Sequence, residues 1–442
     1  MNRYLLALGL GLAARFAPPA AVRADDGHTT KGLALEVVVA DVLDRNPELA
    51  FYQAEMRAAR GGAETAGVLA NPELSVNMGR KRERERDDGL AGEGRAWSVS
   101  VSQTFEFPGR IALRKAIAGK KVKIAEAGLA QFKVALAARA RTLGYRLLIA
   151  QERAAAAKEV AARGRELVDV LVQRDPGGVA PLLETKIIEA SVIKLSREAT
   201  QAMAGAQAAL FELNQLRGEP LAAGLVIART DVALPAIPSA EELVAAASEG
   251  NLELRMQRDE LESQGFQVAL SKNERWPSVS VAPFYSEETA RSDERTFGLG
   301  VSVPLPLWNR NSGAIDTATA RQEQAAAALR LTQRRVEKEL REKAYAYTLQ
   351  VRDIAALRPD TTSQLRDAAE LADRHYRLGA IPVSTYITLQ EQYLDALGAI
   401  LETRAAALEN VHGIEVLTGS RLVTPLSRSE GKPSAAKKGG QK

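Results

Sequence analysis

The feature that most constrains this chain is a duplication with a period near 200 residues. Asn46-Pro47-Glu48-Leu49 is answered by Asn251-Leu252-Glu253-Leu254. Asn71-Pro72-Glu73-Leu74-Ser75-Val76 is answered by Trp276-Pro277-Ser278-Val279-Ser280-Val281, and both pairs lie 205 positions apart. Trp97 to Arg110 (WSVSVSQTFEFPGR) matches Phe297 to Arg310 (FGLGVSVPLPLWNR) at a shift of 200. Gly178-Val179-Ala180-Pro181 matches Gly379-Ala380-Ile381-Pro382 at 201, and Leu216-Arg217-Gly218 matches Leu417-Thr418-Gly419 at the same shift. Anchors kept in one order with so little drift imply two structurally similar halves. The expected organisation is a first repeat over 25–219, a linker over 220–239 containing Pro220, Pro235 and Pro238, and a second repeat over 240–420.

Each half is expected to run helix, strand, polar loop, strand, then two long helices. The opening helices are placed at about 36–66 and 240–272. Period-two alternation marks the strands: Leu74, Val76 and Met78 against Glu73, Ser75 and Asn77, and Trp97, Val99, Val101, Phe105 and Phe107 against Ser98, Ser100, Ser102, Thr104 and Glu106. In the second half Phe297 to Leu307 alternates similarly, whereas Ser278 to Tyr285 loses phase at Pro283. One apolar and one small polar face fits a transmembrane barrel strand, and equally a hairpin capping a soluble domain. The charged stretches Arg80 to Arg95 and Ser286 to Arg295 read as solvated loops.

The long helices set the scale. No proline occurs from Ile111 to Val172, and about 60 helical residues span on the order of 90 Å. The counterpart runs from about Ala314 to Leu357, pauses at Pro359 and resumes to about Tyr376. Val336, Leu340, Ala344, Tyr347, Val351 and Ile354 keep the three-and-four spacing of a coiled-coil seam, continued by Tyr386, Leu389, Tyr393, Leu397, Ile400, Leu408 and Val411. Ala154–Ala157 and Ala325–Ala328 allow close helix approach.

Residues 1–24 read as a secretory signal, with Arg3, the apolar run Tyr4 to Ala14, and Val22-Arg23-Ala24 before Asp25. No later apolar run approaches the length of a spanning helix, so membrane contact must use strands. The chain has no cysteine, which excludes a disulfide scaffold, thiol chemistry and an N-terminal lipid anchor. Lys+Arg at 59 exceed Asp+Glu at 55, but Arg3, Arg15 and Arg23 lie in the leader and Lys432, Lys437, Lys438 and Lys442 in the tail over 421–442. The remaining body is slightly acidic, and no basic patch points to nucleic acid.

Four strands cannot close a barrel, and an open edge in lipid leaves backbone groups unpaired at several kcal/mol each. Copies must therefore pool strands: two give eight, whose interior side chains fill, and three give twelve, which leaves an aqueous lumen. Three copies are expected.

The two-fold repeat of helix, strand, strand and long helix pair resembles the TolC-like outer-membrane factors over about Leu35 to Ser420. VSQTFEFPGRIALRKAIA (Val101–Ala118) and GLGVSVPLPLWNRNSGAI (Gly298–Ile315) look like the branch serving cobalt–zinc–cadmium efflux. The resemblance implies a mainly α fold with β: a homotrimer with a shared twelve-stranded outer-membrane β-barrel and a coiled-coil α-helical barrel in the periplasm. It also implies docking onto a periplasmic membrane fusion protein and, through it, an inner-membrane RND pump that supplies the energy. The positions matching the family's docking tips are Gly178, Val179 and Ala180, and Leu378, Gly379, Ala380 and Ile381. Some members carry acidic residues just after the second tip. Thr385 and Thr388 stand there in this chain, with Glu184 at the equivalent place in the first half as a substitute aperture residue.

The three histidines, His28, His375 and His412, are isolated from one another in sequence, and no metal-ligand spacing, phosphate-binding loop or nucleophile elbow is present. No enzyme, cofactor or resident metal is expected. Two other readings use the same helices: a periplasmic coiled-coil scaffold or adaptor, and an outer-membrane duct serving drug efflux or type I protein secretion.

Overall fold

The computed structural model describes residues 32–84, 90–173, 179–228, 234–358 and 360–422. In chain order the elements are α1 (Leu35–Arg45), α2 (Glu48–Ala66), β1 (Glu73–Arg84), β2 (Leu90–Phe105), α3 (Arg110–Gln173) and α4 (Val179–Arg217). They continue with α5 (Ala240–Gly250), α6 (Leu252–Asn273), β3 (Val279–Thr289), β4 (Asp293–Ser302), α7 (Ser312–Ala356), α8 (Thr361–Arg377) and α9 (Val383–Thr418). The same order of elements thus occurs twice, except that α3 is unbroken while its counterpart divides into α7 and α8.

The opening helix expected in each half is two helices, because an asparagine interrupts it. The amide of Asn46 donates from Nδ2 to the Leu216 carbonyl at 2.9 Å, and its Oδ1 accepts from the Glu48 backbone N–H at 2.9 Å. Asn251 does the same work, donating to the Leu417 carbonyl at 2.8 Å and capping the Leu254 N–H at 2.8 Å. Both side chains are buried. Satisfying the last carbonyls of a long helix and the first N–H groups of a short one with one side chain fixes the angle between them.

The strands form one antiparallel sheet in the order β1-β2-β3-β4. Most of the two charged stretches expected as loops is strand: β1 continues to Arg84, β2 begins at Leu90, β3 runs to Thr289 and β4 starts at Asp293. Charge does not end pairing where the side chains reach water or each other, as Arg82 and Glu93 do at 3.3 Å. In contrast β4 stops at Ser302 rather than Leu307, since Pro304 and Pro306 have no N–H to pair. Pro283 does not end β3, but the β2–β3 ladder is interrupted opposite it, between Ser100 and Gln103.

Buried side chains gather in the helical body. Val38, Val42, Leu136, Ala140, Leu147 and Leu213 centre the core of the first half, and Leu243, Ala247, Val336, Leu340 and Ile414 that of the second. A third cluster joins the halves through Ala157, Val160, Leu195, Tyr393 and Leu397, so the coiled-coil stripes are packing residues. Leu33, ahead of α1, pairs with Ile227 of the linker in an isolated parallel bridge, which holds this part of the linker on the first half's core.

Candidate functional site

Two regions make up the candidate site, the sheet at one end of the helical body and the helix turns at the other. In the sheet, register puts Leu74 opposite Val101, Val76 opposite Val99, Met78 opposite Trp97, Tyr285 opposite Phe297 and Val281 opposite Val301. These side chains share one face, with Val99, Val281 and Tyr285 half-buried and the others in the open: Met78 is 84% exposed and Phe297 82%. Aromatic pairs bound this face, Trp97 with Tyr285 at 5.4 Å towards the hairpin turns and Phe107 with Trp276 at 5.5 Å towards the helices. Along β2 this face runs from Phe105 to Trp97, apolar except at Gln103, over roughly 26 Å of extended chain, which matches the apolar band of an outer-membrane barrel.

The opposite face is small and polar, with Ser75, Asn77, Ser98, Ser100, Ser102, Thr104, Ser280 and Ser302 in register. Thr104 and Ser280 share a hydrogen bond of 2.8 Å. Phe284 lies across Gly298, where any Cβ would come within 2.6 Å of the ring. Near the hairpin turns Lys81 reaches Glu288 and Glu294 at 2.9 Å each and Glu83 at 3.3 Å. A face lined this way suits water.

Arg110 anchors this sheet to the helices. It donates from Nε to Asn273 Oδ1 at 3.1 Å and from Nη2 to the Trp276 carbonyl at 2.8 Å, tying the first half's strand-to-helix turn to that of the second. Gly109 makes the turn with φ +87°, and on the other side Asn311 takes the left-handed conformation at φ 59° and donates to the Ser271 carbonyl at 2.8 Å. The sequence motif FPGR was visible as a repeat anchor, but nothing in it disclosed a partner 163 residues away.

At the far end, α8 closes with a Schellman turn: Ala380 N–H donates to the His375 carbonyl and Gly379 N–H to the Tyr376 carbonyl, both at 2.8 Å. Gly379 has φ +73°, and Leu378 beside it is 82% exposed. Ile381 instead packs against the cluster of Leu167, Ile188, Ala372, Val383 and Tyr386. The structure therefore presents Leu378, Gly379 and Ala380 on a bare tip held rigid from below. Burial pushes the Tyr386 hydroxyl up to about 12. Thr385 and Thr388 are both exposed on the first turns of α9. Gly178 lies outside the described residues, as do the side chains of Val179, Ala180 and Glu184, whose backbones open α4.

Among the described residues no group of three or more His, Cys, Asp or Glu is arranged to hold a metal ion, and no helix is long and apolar enough to cross a membrane. His412 is buried with Nδ1 2.9 Å from Glu415, within the helical core.

An apolar sheet face of bilayer height over a polar one, set on long helices of which α3 alone spans about 96 Å, defines a membrane channel wall continued by a conduit. The chain belongs to the outer membrane efflux protein family, whose profile matches residues 38–219 and 243–420. It is an outer-membrane channel with the TolC-like fold, extended by helices into the periplasm, and not an enzyme. One relative, the cobalt-zinc-cadmium resistance protein CzcC of Cupriavidus metallidurans, is 27% identical over 341 residues, covering 74% of this chain and 77% of its own. Among solved structures, CusC superposes with a TM-score of 0.70 at 15% identity, over 93% of this chain and 100% of its own. A membrane protein from Pseudomonas aeruginosa gives 0.73 at 18%, over 92% and 97%, and the outer-membrane channel OprN 0.69 at 20%, over 88% and 90%.

Proposed function

We propose that three copies of this chain form the exit duct of a tripartite efflux system that passes divalent heavy-metal cations to the exterior. One observation carries the reading: β1 and β4 are both unpaired edges of a sheet whose apolar face stands open. Three such sheets joined edge to edge make twelve strands with the Ser-rich face around water. Energy comes from an inner-membrane RND pump, linked through a membrane fusion protein that packs on the tips at Gly178, Val179 and Ala180 and at Leu378, Gly379, Ala380 and Ile381. Thr385, Thr388 and Glu184 line the periplasmic aperture. Residues 1–24 serve as the export signal and are removed, 220–239 link the two repeats over 25–219 and 240–420, and 421–442 form a basic tail.

Two observations support a cationic cargo. The relative CzcC is named for cobalt, zinc and cadmium resistance. The lumen-side cluster of Glu83, Glu288 and Glu294 around Lys81 carries a net charge of −2 close to the outer mouth, which raises local cation concentration. Deleting the gene and scoring growth on zinc, cadmium, cobalt, nickel and copper, beside a drug panel and secreted proteins, tests the cargo. Sensitivity to metals alone is expected, and sensitivity to drugs alone overturns it. Sizing of the detergent-extracted particle from outer membranes tests the assembly, with a trimer expected.

A further inference from the structure

The outward face of the sheet does not end at its aromatic rim. The phase that places Leu74, Val76 and Met78 outward places Arg80 and Arg82 outward above them, and on β2 it places Arg95 and Glu93 above Trp97. Arg80 lies directly opposite Arg95, one outward row (about 7 Å along the strand) beyond the Met78–Trp97 pair. Like charges directly opposed across antiparallel strands are destabilising, and the local carboxylates do not cancel them. Glu93 is shared, 3.3 Å from Arg82 and 3.7 Å from Arg80, and Arg95 has no ion pair among the described residues. The Arg80 side chain is 79% exposed and that of Arg82 63%.

The hairpin turns lie at the end of the sheet away from the helices, so this excess of guanidinium sits at the external surface of the bilayer. Its height matches the headgroups on β1 and β2, where the row beneath it, Met78 and Trp97, is the last apolar one; on β3 and β4 that row is already Glu287 and Arg295, paired with each other at 3.4 Å. At the other end of the band Arg110 is held by Asn273 and the Trp276 carbonyl. A forked guanidinium pair beside lipid selects phosphate oxygens, to which arginine binds in a bidentate manner. We propose that Arg80, Arg82 and Arg95 form a site for the phosphate groups of the phosphorylated glycolipid of the outer leaflet, and that the bound phosphate bridges the Arg80–Arg95 pair. The inference rests on the barrel reading of the sheet.

The test uses the full-length channel in phosphatidylethanolamine vesicles containing lipid A with both phosphates, dephosphorylated lipid A, or phosphatidylglycerol at matched charge. Lipid retained per protomer is counted after detergent exchange. The native chain is expected to retain the bisphosphorylated lipid about tenfold better than R80Q/R95Q does, with R80K/R95K in between. Equal retention by R80Q/R95Q, or retention of dephosphorylated lipid A or phosphatidylglycerol to the same degree as bisphosphorylated lipid A, overturns the site. Vesicle flotation is scored alongside. Native protein that does not float counts against the barrel rather than the arginines. If R80Q/R95Q alone fails to insert, the single variant R95Q decides, and undiminished retention by it rejects the proposal.

Discussion

The two halves of the channel invite comparison residue by residue. Asn46 and Asn251 occupy equivalent corners and make equivalent bonds, to Leu216 and to Leu417. The long helices that receive them end in equivalent glycines, Gly218 at φ +66° and Gly419 at φ +69°. Glu36, in the first turn of α1, meets Arg141 of α3 at 3.1 Å, and Glu241, in the first turn of α5, meets Arg341 of α7 at 3.2 Å. Core positions correspond too, yet volume is redistributed: Val42 with Ala140 in the first half, Ala247 with Leu340 in the second. The halves diverge along the long helices. Leu147 and Tyr347 are both fully buried, but Tyr347 also donates to the Pro235 carbonyl at 2.7 Å, and α7 ends nine residues later whereas α3 runs on. The hinge near the sheet is thus a fixed part used twice, and difference is concentrated where the second half meets the linker.

The strongest way to break that equivalence is at the asparagines. Asn46→Ala and Asn251→Ala each remove a buried donor and a cap, leaving a helix-end carbonyl unpaired, and each is expected to cost about 2–4 kcal/mol. Thermal unfolding of the extracted protein measures both, and a twofold disparity between them would show that the corners are not interchangeable. The glycines sharpen the comparison through an asymmetry. Alanine at either site is forced into left-handed backbone at about 1–2 kcal/mol. Its Cβ would lie 3.1 Å from the Arg45 carbonyl oxygen at position 218 but 2.5 Å from that of Gly250 at position 419. Gly419→Ala is therefore expected to be the more damaging by about 1 kcal/mol, and the reverse order would contradict the packing. Tyr347→Phe isolates the divergence itself: it strands the Pro235 carbonyl, costs about 1 kcal/mol, and exposes the linker to protease. Unchanged proteolysis there would mean that the tyrosine does not hold the linker.

Much of this comparison was legible in the sequence and some of it could not have been. The repeat anchors, the strand faces, the helix lengths and the division between α7 and α8 all follow from periodicity and from where proline stands in the sequence, although Pro359 itself lies outside the described residues. Periodicity states that Asn46 and Leu216 recur together but not that they touch, since that contact spans 170 residues. The charged stretches were misjudged because polarity alone does not distinguish a loop from a strand. The finer signal was there, in Arg80, Arg82 and Arg84 alternating with Lys81 and Glu83 in phase with Met78. Of the tips, Gly379 was recognisable as a turn residue, whereas the exposure of Leu378 and burial of Ile381 depend on how three other helices pack beneath them.

The smallest expected effect separates the two glutamates by their surroundings. At Glu36 burial pushes the carboxyl up, but hydrogen bonds and charge from Arg141, joined by Arg421, override it and hold the group below its ordinary value of 4.5. Glu241 is also lowered, by its own backbone N–H and by Arg341, in full contact with solvent. In both cases the folded chain binds its proton less readily than the unfolded one. Their stabilisation is therefore complete above about pH 4.5 and is lost as pH falls through the lowered values. Glu36→Gln and Glu241→Gln should each flatten the acid limb of stability against pH while leaving its slope near neutrality unchanged. Salt then tells them apart. At about 1 M the screening length is about 3 Å, so the exposed Glu241–Arg341 pair loses its contribution, while the Glu36–Arg141 pair, with the arginine side chain only 15% exposed, keeps most of its own. Equal salt sensitivity of the two variants would mean that the repeated ion pair is equally solvated in both halves, against the burial that the structure gives it.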